Sequence, residues 1–243
     1  MPTNSSVCDF SSLPEALRNG CDWRSVTTIL RRCVVAIEQD PEDFYAIWHP
    51  LGFASFWLWE KGQESVRLNL WSDLPGEYTG LGWHIHKHNW DLASYVLCGY
   101  LESRTYRILQ NTSNHPTHRV YNIQHDGDMN YLRASPRVVS CELDRVEIVQ
   151  PGNRYRLAQG VFHSAHAAEG CVTATLVLAS EVQGTDAAVL GPLQGVAEYQ
   201  TERRRCPHWF VREAVALVVK ILGYEPEDTS FPAEHGKRDT MTV

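Results

Sequence analysis

Between residues 51 and 182 the chain is a succession of short β-patterned segments cut by turn residues, and this constrains its fold more than any other feature. Residues 66–71 show the pattern most clearly. Val66, Leu68 and Leu70 fall on one side and Arg67, Asn69 and Trp71 on the other, the two-residue period of a strand with unlike faces. Further strands are expected at 53–59, 95–108, 119–123, 138–149, 155–157, 161–167 and 171–182. Loop signals occupy 73–82, 110–116 and 151–152, and the polar stretch 124–136, with Gly127, is expected to be a surface loop. Helical spacing is confined to the two ends of the chain. Ser12 precedes a short helix from Leu13 that stops at Asn19-Gly20. Asp22 can cap a second helix, with Trp23, Val26, Ile29, Leu30, Cys33, Val34 and Ile37 as its apolar stripe. Pro41 is expected to open a third, through Phe44 and Ile47 to Pro50, and a last helix is expected over 207–222. Many strands without intervening helices predict an all-β sandwich or barrel rather than a β-α-β fold.

Composition narrows the partners. The net charge of −7 leaves no electrostatic footprint for nucleic acid, and the Arg203-Arg204-Arg205 run is expected to be a solvated surface patch. No apolar stretch is long enough to span a bilayer, so no membrane is expected. The opening Met-Pro-Thr-Asn-Ser-Ser has neither the basic nor the apolar part of a signal peptide. Seven cysteines, an odd number with no Cys-x-x-Cys pair, favour small buried thiols in a reducing, cytoplasmic setting.

The chemistry concentrates in residues 80–99. His84, His86 and His88 alternate there, so on a strand all three side chains would leave one face. Imidazoles gathered on one face are raw material for a transition-metal site. Spacing adds more. Gly80 is followed by five residues, then His86-x-His88, then three residues to Leu92 and six more to Gly99. Downstream, Gly152 is followed by five residues, then Ala158-x-Gly160, then two residues to His163.

These two frames resemble the paired motifs of the cupin superfamily, G-x5-H-x-H-x3-4-E-x6-G and G-x5-P-x-G-x2-H-x3-N, over roughly residues 51–182. The resemblance implies a cupin jelly-roll β-barrel with N-terminal helices and a C-terminal helix. It implies metal ligation by His86, His88 and His163; a register displaced to His84 and His86 is the competing assignment, and barrel histidines without a metal are the plain alternative. Three departures stand out: Leu92 replaces the glutamate ligand, Ala158 the proline and Ala167 the asparagine. A leucine binds no metal, so the implied ligand set is three imidazoles. That set resembles the thiol dioxygenases, which implies Fe(II), with Zn, Ni or Mn as alternatives, and dioxygen as co-substrate.

The implied activity is a non-haem Fe(II) oxygenase acting on a small polar substrate, a thiol such as cysteine or a derivative leading. A metal-dependent lyase, decarboxylase or isomerase is the alternative, and a non-catalytic small-molecule-binding cupin the second alternative. An anionic substrate would supply the negative charge that the missing glutamate does not. Its acid group needs a cation: Arg67 leads, on the polar face of its strand, with Arg156 and Arg107 as alternatives. Tyr155, Tyr100 and Tyr106 are the phenols within reach, and Trp90 is a candidate pocket wall. His84 is expected at the rim and His166 beside the site or on the surface. Cys98 is close but out of place for a cysteine–tyrosine crosslink. His49, His115, His118, His125, His208 and His235 carry no expected chemistry. The expected layout is a helical segment over 1–50, the barrel over 51–200, a helix over 201–224 with a possible role in a homodimer, and a disordered tail over 225–243.

Overall fold

The structure, a computed structural model, describes residues 10–20, 23–39, 41, 44–109, 115–180 and 186–223. The Asp22 cap, most of the 110–116 turn and the 225–243 tail lie outside the described residues, as do the side chains of Trp23 and Cys33. A 3-10 turn, Phe10–Ser12, leads into α1 (Leu13–Asn19), and α2 (Trp23–Gln39) follows. Then come β1 (Ala46–His49), β2 (Phe53–Lys61), β3 (Glu64–Trp71), β4 (His86–Lys87), β5 (Asp91–Cys98), β6 (Leu101–Leu109) and β7 (His118–Asp126). They are followed by β8 (Met129–Val149), β9 (Arg154–Leu157), β10 (His163–Ala167), β11 (Thr173–Ser180), β12 (Ala188–Gly191) and β13 (Glu198–Glu202). The closing helix is α3 (His208–Leu222).

The strands form two antiparallel sheets. One runs β1-β2-β3-β11-β5-β9, the other β13-β8-β6-β10-β4-β12-β7, with β8 also pairing β7. The first sheet is covered on both sides. Val66, Leu68 and Leu70 of β3 and Leu176 and Leu178 of β11 pack outward against Leu13, Leu17, Val26, Leu30 and Phe210 of the helices. On the other face Leu92, Val96 and Val177 meet Leu101 and Val149 of the second sheet. Burial on both faces explains why β11 is almost continuously apolar instead of alternating. The architecture is a β-sandwich carrying helices from both ends of the chain on one outer face. Among the described residues no helix is long and apolar enough to cross a membrane.

Three expectations are corrected. The third helix does not form: β1 occupies its second half, pairing Ala46 with Phe56 and His49 with Phe53. Pairing overrides the helical spacing of Phe44 and Ile47, and it sends Trp48 outward, 2% exposed and 4.1 Å from the Phe210 ring, while Ile47 and His49 face the cavity described below. The 124–136 loop is instead a hairpin, β7 reaching Asp126 and β8 starting at Met129. Its polar composition reflects solvent exposure of that end, with Asn130 and Leu132 turned in. Lastly, the segment before α3, for which no strand is expected, contains β12 and β13, each too short to announce itself by period, and β13 takes the first two residues of the helix expected over 201–224.

Candidate metal centre

Strand pairing builds the site. His86 stands opposite His163 of β10 on one side and Val189 of β12 on the other. That register places two imidazoles from distant parts of the chain side by side, with ring centroids 4.3 Å apart and planes tilted by 50°. His88, two residues on, brings a third ring to 4.8 Å from His86 and 5.0 Å from His163. One nitrogen from each lies within 4.8 Å of the other two. Main-chain ties hold the two motif segments together. The Gly160 N–H donates to the His88 carbonyl at 2.9 Å, and the Gln159 N–H donates to Asp91 Oδ1 at 2.8 Å.

The glycine frame has physical causes at Gly80 and Gly99. A methyl on Gly80 would overlap the Pro50 carbonyl, so the loop entering β4 crosses the end of β1 at backbone contact. Gly99 turns β5 into β6 at φ +68°, with Val172 and Thr173 filling the space a side chain would need.

Hydrogen bonding decides which nitrogens are free. His86 Nδ1 lies 2.9 Å from the His84 carbonyl and His163 Nδ1 lies 3.0 Å from the Val161 carbonyl. A carbonyl only accepts, so both Nδ1 atoms carry the proton and both Nε2 lone pairs are open. Burial pushes all three imidazoles below their usual pKa, and mutual repulsion adds to it for His86 and His88. They are therefore neutral at neutral pH, the form that ligates a metal. His88 is held by stacking on Trp90, 3.9 Å between centroids at 18°. Nitrogens about 2.1 Å from one tetrahedral ion stand about 3.4 Å apart, so rings whose nitrogens lie within 4.8 Å of one another would draw together by up to about 1.4 Å on binding it. The donor set thus fits a divalent transition metal held by His86, His88 and His163, with no carboxylate in the group among the described residues.

His86 and His88 open on a cavity of about 370 Å³ between the sheets, and His163 stands behind them. Its wall includes Trp57, Trp83, Trp90, Arg67, His49, His125, Asn130 and Arg203, and among the described residues no aspartate or glutamate. Arg67 lies over the Trp57 ring at 4.5 Å and the Trp90 ring at 5.7 Å, donates through Nε to the Ser65 hydroxyl at 3.1 Å, and is lowered to about 10, chiefly by burial.

Sequence reasoning set aside His49, His125 and Arg203, yet all three line the cavity. His49 Nδ1 accepts the Leu51 N–H at 3.3 Å, so the neutral ring carries its proton on Nε2. Burial, with the positive charges of Arg67 and Arg203 nearby, pushes its pKa down to about 3. His125 Nδ1 donates to Asn130 Oδ1 at 2.6 Å, and the Asn130 amide donates to the Thr201 hydroxyl at 3.1 Å. Of the arginine run, only Arg203 turns in. Arg204 pairs with Glu77 and Glu202 at 3.0 Å each in solvent. Reading 46–49 as a strand would have found His49 by its period; nothing local to the sequence marks Arg203.

The other candidates lie elsewhere. His84 is exposed and sits 5.5 Å from His166, whose Nε2 is 2.9 Å from the Ser164 hydroxyl, so it is not part of the three-histidine group. Leu92 packs with Trp71, Trp90 and Tyr155 in the apolar cluster between the sheets. Tyr155 and Arg156 line a different hollow, with Tyr106 and Arg107, and Arg156 donates to the Arg18 carbonyl at 2.8 Å, tying α1 to the sheet. Arg107 pairs with Asp144 at 2.7 Å in solvent. The Tyr106 hydroxyl is 3.1 Å from the Ser164 hydroxyl. Tyr100 uses its carbonyl to accept from the Thr173 hydroxyl. Cys98 donates to the Val172 carbonyl, and burial pushes its thiol up to about 11.

No family profile matches the sequence, and no curated protein is similar to it. Solved structures with partial likeness include a hydroxypropylphosphonic acid epoxidase from S. wedmorenis, at 10% identity and a TM-score of 0.34. That alignment covers 58% of this chain and 56% of the epoxidase, little more than half of its length. A hydroquinone 1,2-dioxygenase, PnpCD, in complex with Cd2+ and 4-hydroxybenzonitrile aligns at 10% identity and a TM-score of 0.34, over 75% of this chain and 83% of its own. Likeness at that level identifies neither a reaction nor a substrate.

Proposed function

We propose that this chain is a cupin-type, Fe(II)-dependent oxygenase of a small anionic substrate, with thiols such as cysteine or a derivative as the leading class. The jelly-roll reading of the sandwich comes from the two motif frames and from the order in which β4, β10 and β6 adjoin. One observation carries the functional reading: three neutral imidazoles with no carboxylate among them, two of which, His86 and His88, stand on the wall of an aromatic cavity that contains arginine. Such a set leaves a divalent ion uncompensated by protein charge, which favours an anionic ligand in the open positions.

Iron bound there would supply the electron exchange between thiol and dioxygen that yields a sulfinic acid; both oxygen atoms end on sulfur, and no external reductant is needed. The chain's own residues bind and orient. Arg67 offers guanidinium N–H groups to the substrate's acid group. Trp57, Trp83 and Trp90 exclude water and keep the charges strong. The His84 and Val161 carbonyls hold the protons on His86 and His163 Nδ1 and keep Nε2 available.

The test is oxygen uptake by iron-loaded protein over a panel of thiols. Uptake in equal measure with thiol consumed, lost in His163→Ala, is expected. Absence of metal-dependent uptake across the panel overturns the proposal. Turnover without oxygen on Zn, Ni or Mn would move the chain to the lyases, decarboxylases or isomerases.

A further inference from the structure

We infer that the cavity holds a second, metal-independent subsite, formed by Arg67, Arg203 and His49, that takes a doubly charged acid group of the substrate. The inference deepens the proposed function by narrowing the substrate class, and it rests on that reading only for which molecule brings the acid group in.

Charge supplies the first argument. Arg67 and Arg203 both line the cavity, and among the described residues no acidic side chain does. Neither arginine forms an ion pair among the described residues, although Arg18, Arg104, Arg107, Arg133, Arg145 and Arg204 all do. The two cations are near enough for Arg203 to disfavour the charge on Arg67. Glu60 favours the charge on Arg67 from outside the cavity wall, so two like charges on one wall have no counter-charge in contact among the described residues, which costs stability unless something supplies it. Lys87, another residue on the wall, carries its ammonium 6.0 Å from the Phe162 ring and does not join them.

Unused donors supply the second. Arg203 spends Nη2 on the Gly127 carbonyl at 2.6 Å, but its Nε is buried with no partner. Arg67 spends Nε on the Ser65 hydroxyl, which leaves its terminal N–H groups. His49, with Nδ1 occupied by the Leu51 N–H, keeps its Nε2 proton to donate. Buried donors left unmatched are costly, and an oxyanion matches all three at once. A monoanion balances one guanidinium. Two need a dianion, either a single phosphoryl-type group or a pair of carboxylates.

Construction supplies the third, because Arg203 is placed by the backbone. Its N–H donates to the Asp128 carbonyl at 2.7 Å, and the β7–β8 turn accepts its Nη2, so the side chain is held at both ends.

The experiment measures binding of inorganic phosphate, succinate and acetate to metal-free full-length protein by calorimetry at about pH 8.5, where phosphate is doubly charged. Both dianions are expected to bind at least about tenfold more tightly than acetate. Arg203→Gln should bring that ratio to within about twofold, and Arg203→Lys should lower it in part, because the charge stays and the Nε donor is lost. Phosphate binding more tightly than succinate, or the reverse, distinguishes one compact group from two carboxylates; either supports the subsite. No preference for dianions in the folded protein overturns it, as does a preference that survives Arg203→Gln. Circular dichroism confirms that the variants fold, and the Arg203→Lys protein carries the comparison should Arg203→Gln fail. The same titration on His163→Ala, with metal content measured separately, keeps failure of the metal reading apart from failure of this one.

Discussion

Gly80→Ala tests how the loop entering β4 is placed. The added methyl would stand 2.8 Å from the carbonyl carbon and 3.3 Å from the Cα of Pro50, and inside contact distance of the carbonyl oxygen. Carbon atoms rest about 3.5–4.0 Å apart and the carbonyl oxygen overlaps still more, so the two backbones must separate by more than about 1 Å. The loop has little freedom to retreat. On one side of Gly80 the Thr79 hydroxyl donates to the Glu202 carbonyl at 2.6 Å; on the other Trp83 packs against Tyr199 and Tyr121 at 4.8 and 5.0 Å. Overpacking of this kind costs about 1–3 kcal/mol, and rigid backbone on one side argues for about 2. For a chain of this size that lowers Tm by roughly 4–8 °C. Gly82→Ala is the control for added volume. Gly82 sits at φ +73° with nothing within 4 Å, so its alanine variant bears only the left-handed strain of roughly 1–2 kcal/mol and pushes nothing. Scanning calorimetry compares the melting of both variants, and titration with Ni(II) follows the metal site. Gly80→Ala should weaken metal binding and Gly82→Ala should not. A Gly80→Ala protein melting within about 2 °C of the parent, with metal affinity unchanged, would refute the close crossing of loop and β1.

His163→Ala should abolish stoichiometric metal binding, and with it any rise in Tm on adding metal, because only two of the three grouped nitrogens remain; elemental analysis after dialysis reads this directly. Stability of the metal-free protein should fall with pH. His49 titrates near 6.5 when unfolded and near 3 when folded, so below about pH 6.5 the unfolded chain binds the extra proton and the loss grows until pH reaches about 3. Urea midpoints at about pH 7.5 and 5.5 should differ, and His49→Gln should shrink the difference; equal midpoints in the parent protein would count against a buried neutral His49. Trp48→Ala removes a ring wedged between Phe210 and Tyr78 and should cost about 3–5 kcal/mol in chemical denaturation; a loss under about 1 would mean that α3 does not dock there.

The strand content of the middle of the chain was legible because alternation is a local signal. Val66–Trp71 announced both faces of β3, and the cavity side of that strand does carry Arg67. The grouping of His86, His88 and His163 was legible through glycine spacing, which records backbone crossings such as that of Gly80 over Pro50. What the sequence hid was decided by partners. Residues 46–49 have helical spacing and become a strand because β2 pairs with them. Arg203 belongs to a run that looks solvated, and only the turn at Gly127 and Asp128 selects it to face inward. Tyr155 and Arg156 follow a motif glycine closely, yet their strand joins β5 at the sheet edge, and they line a separate hollow.

The carbonyls that orient His86 and His163 have an evolutionary consequence. Each ring is aimed by the main chain two residues earlier, at His84 and Val161, and every amino acid has a carbonyl. No single substitution at either position removes the acceptor. Mutations can therefore accumulate around the cavity, altering what it admits, while the aim of two of the three imidazoles stays as it was. A scaffold built this way can change substrates in small steps without passing through a form that has lost its ion.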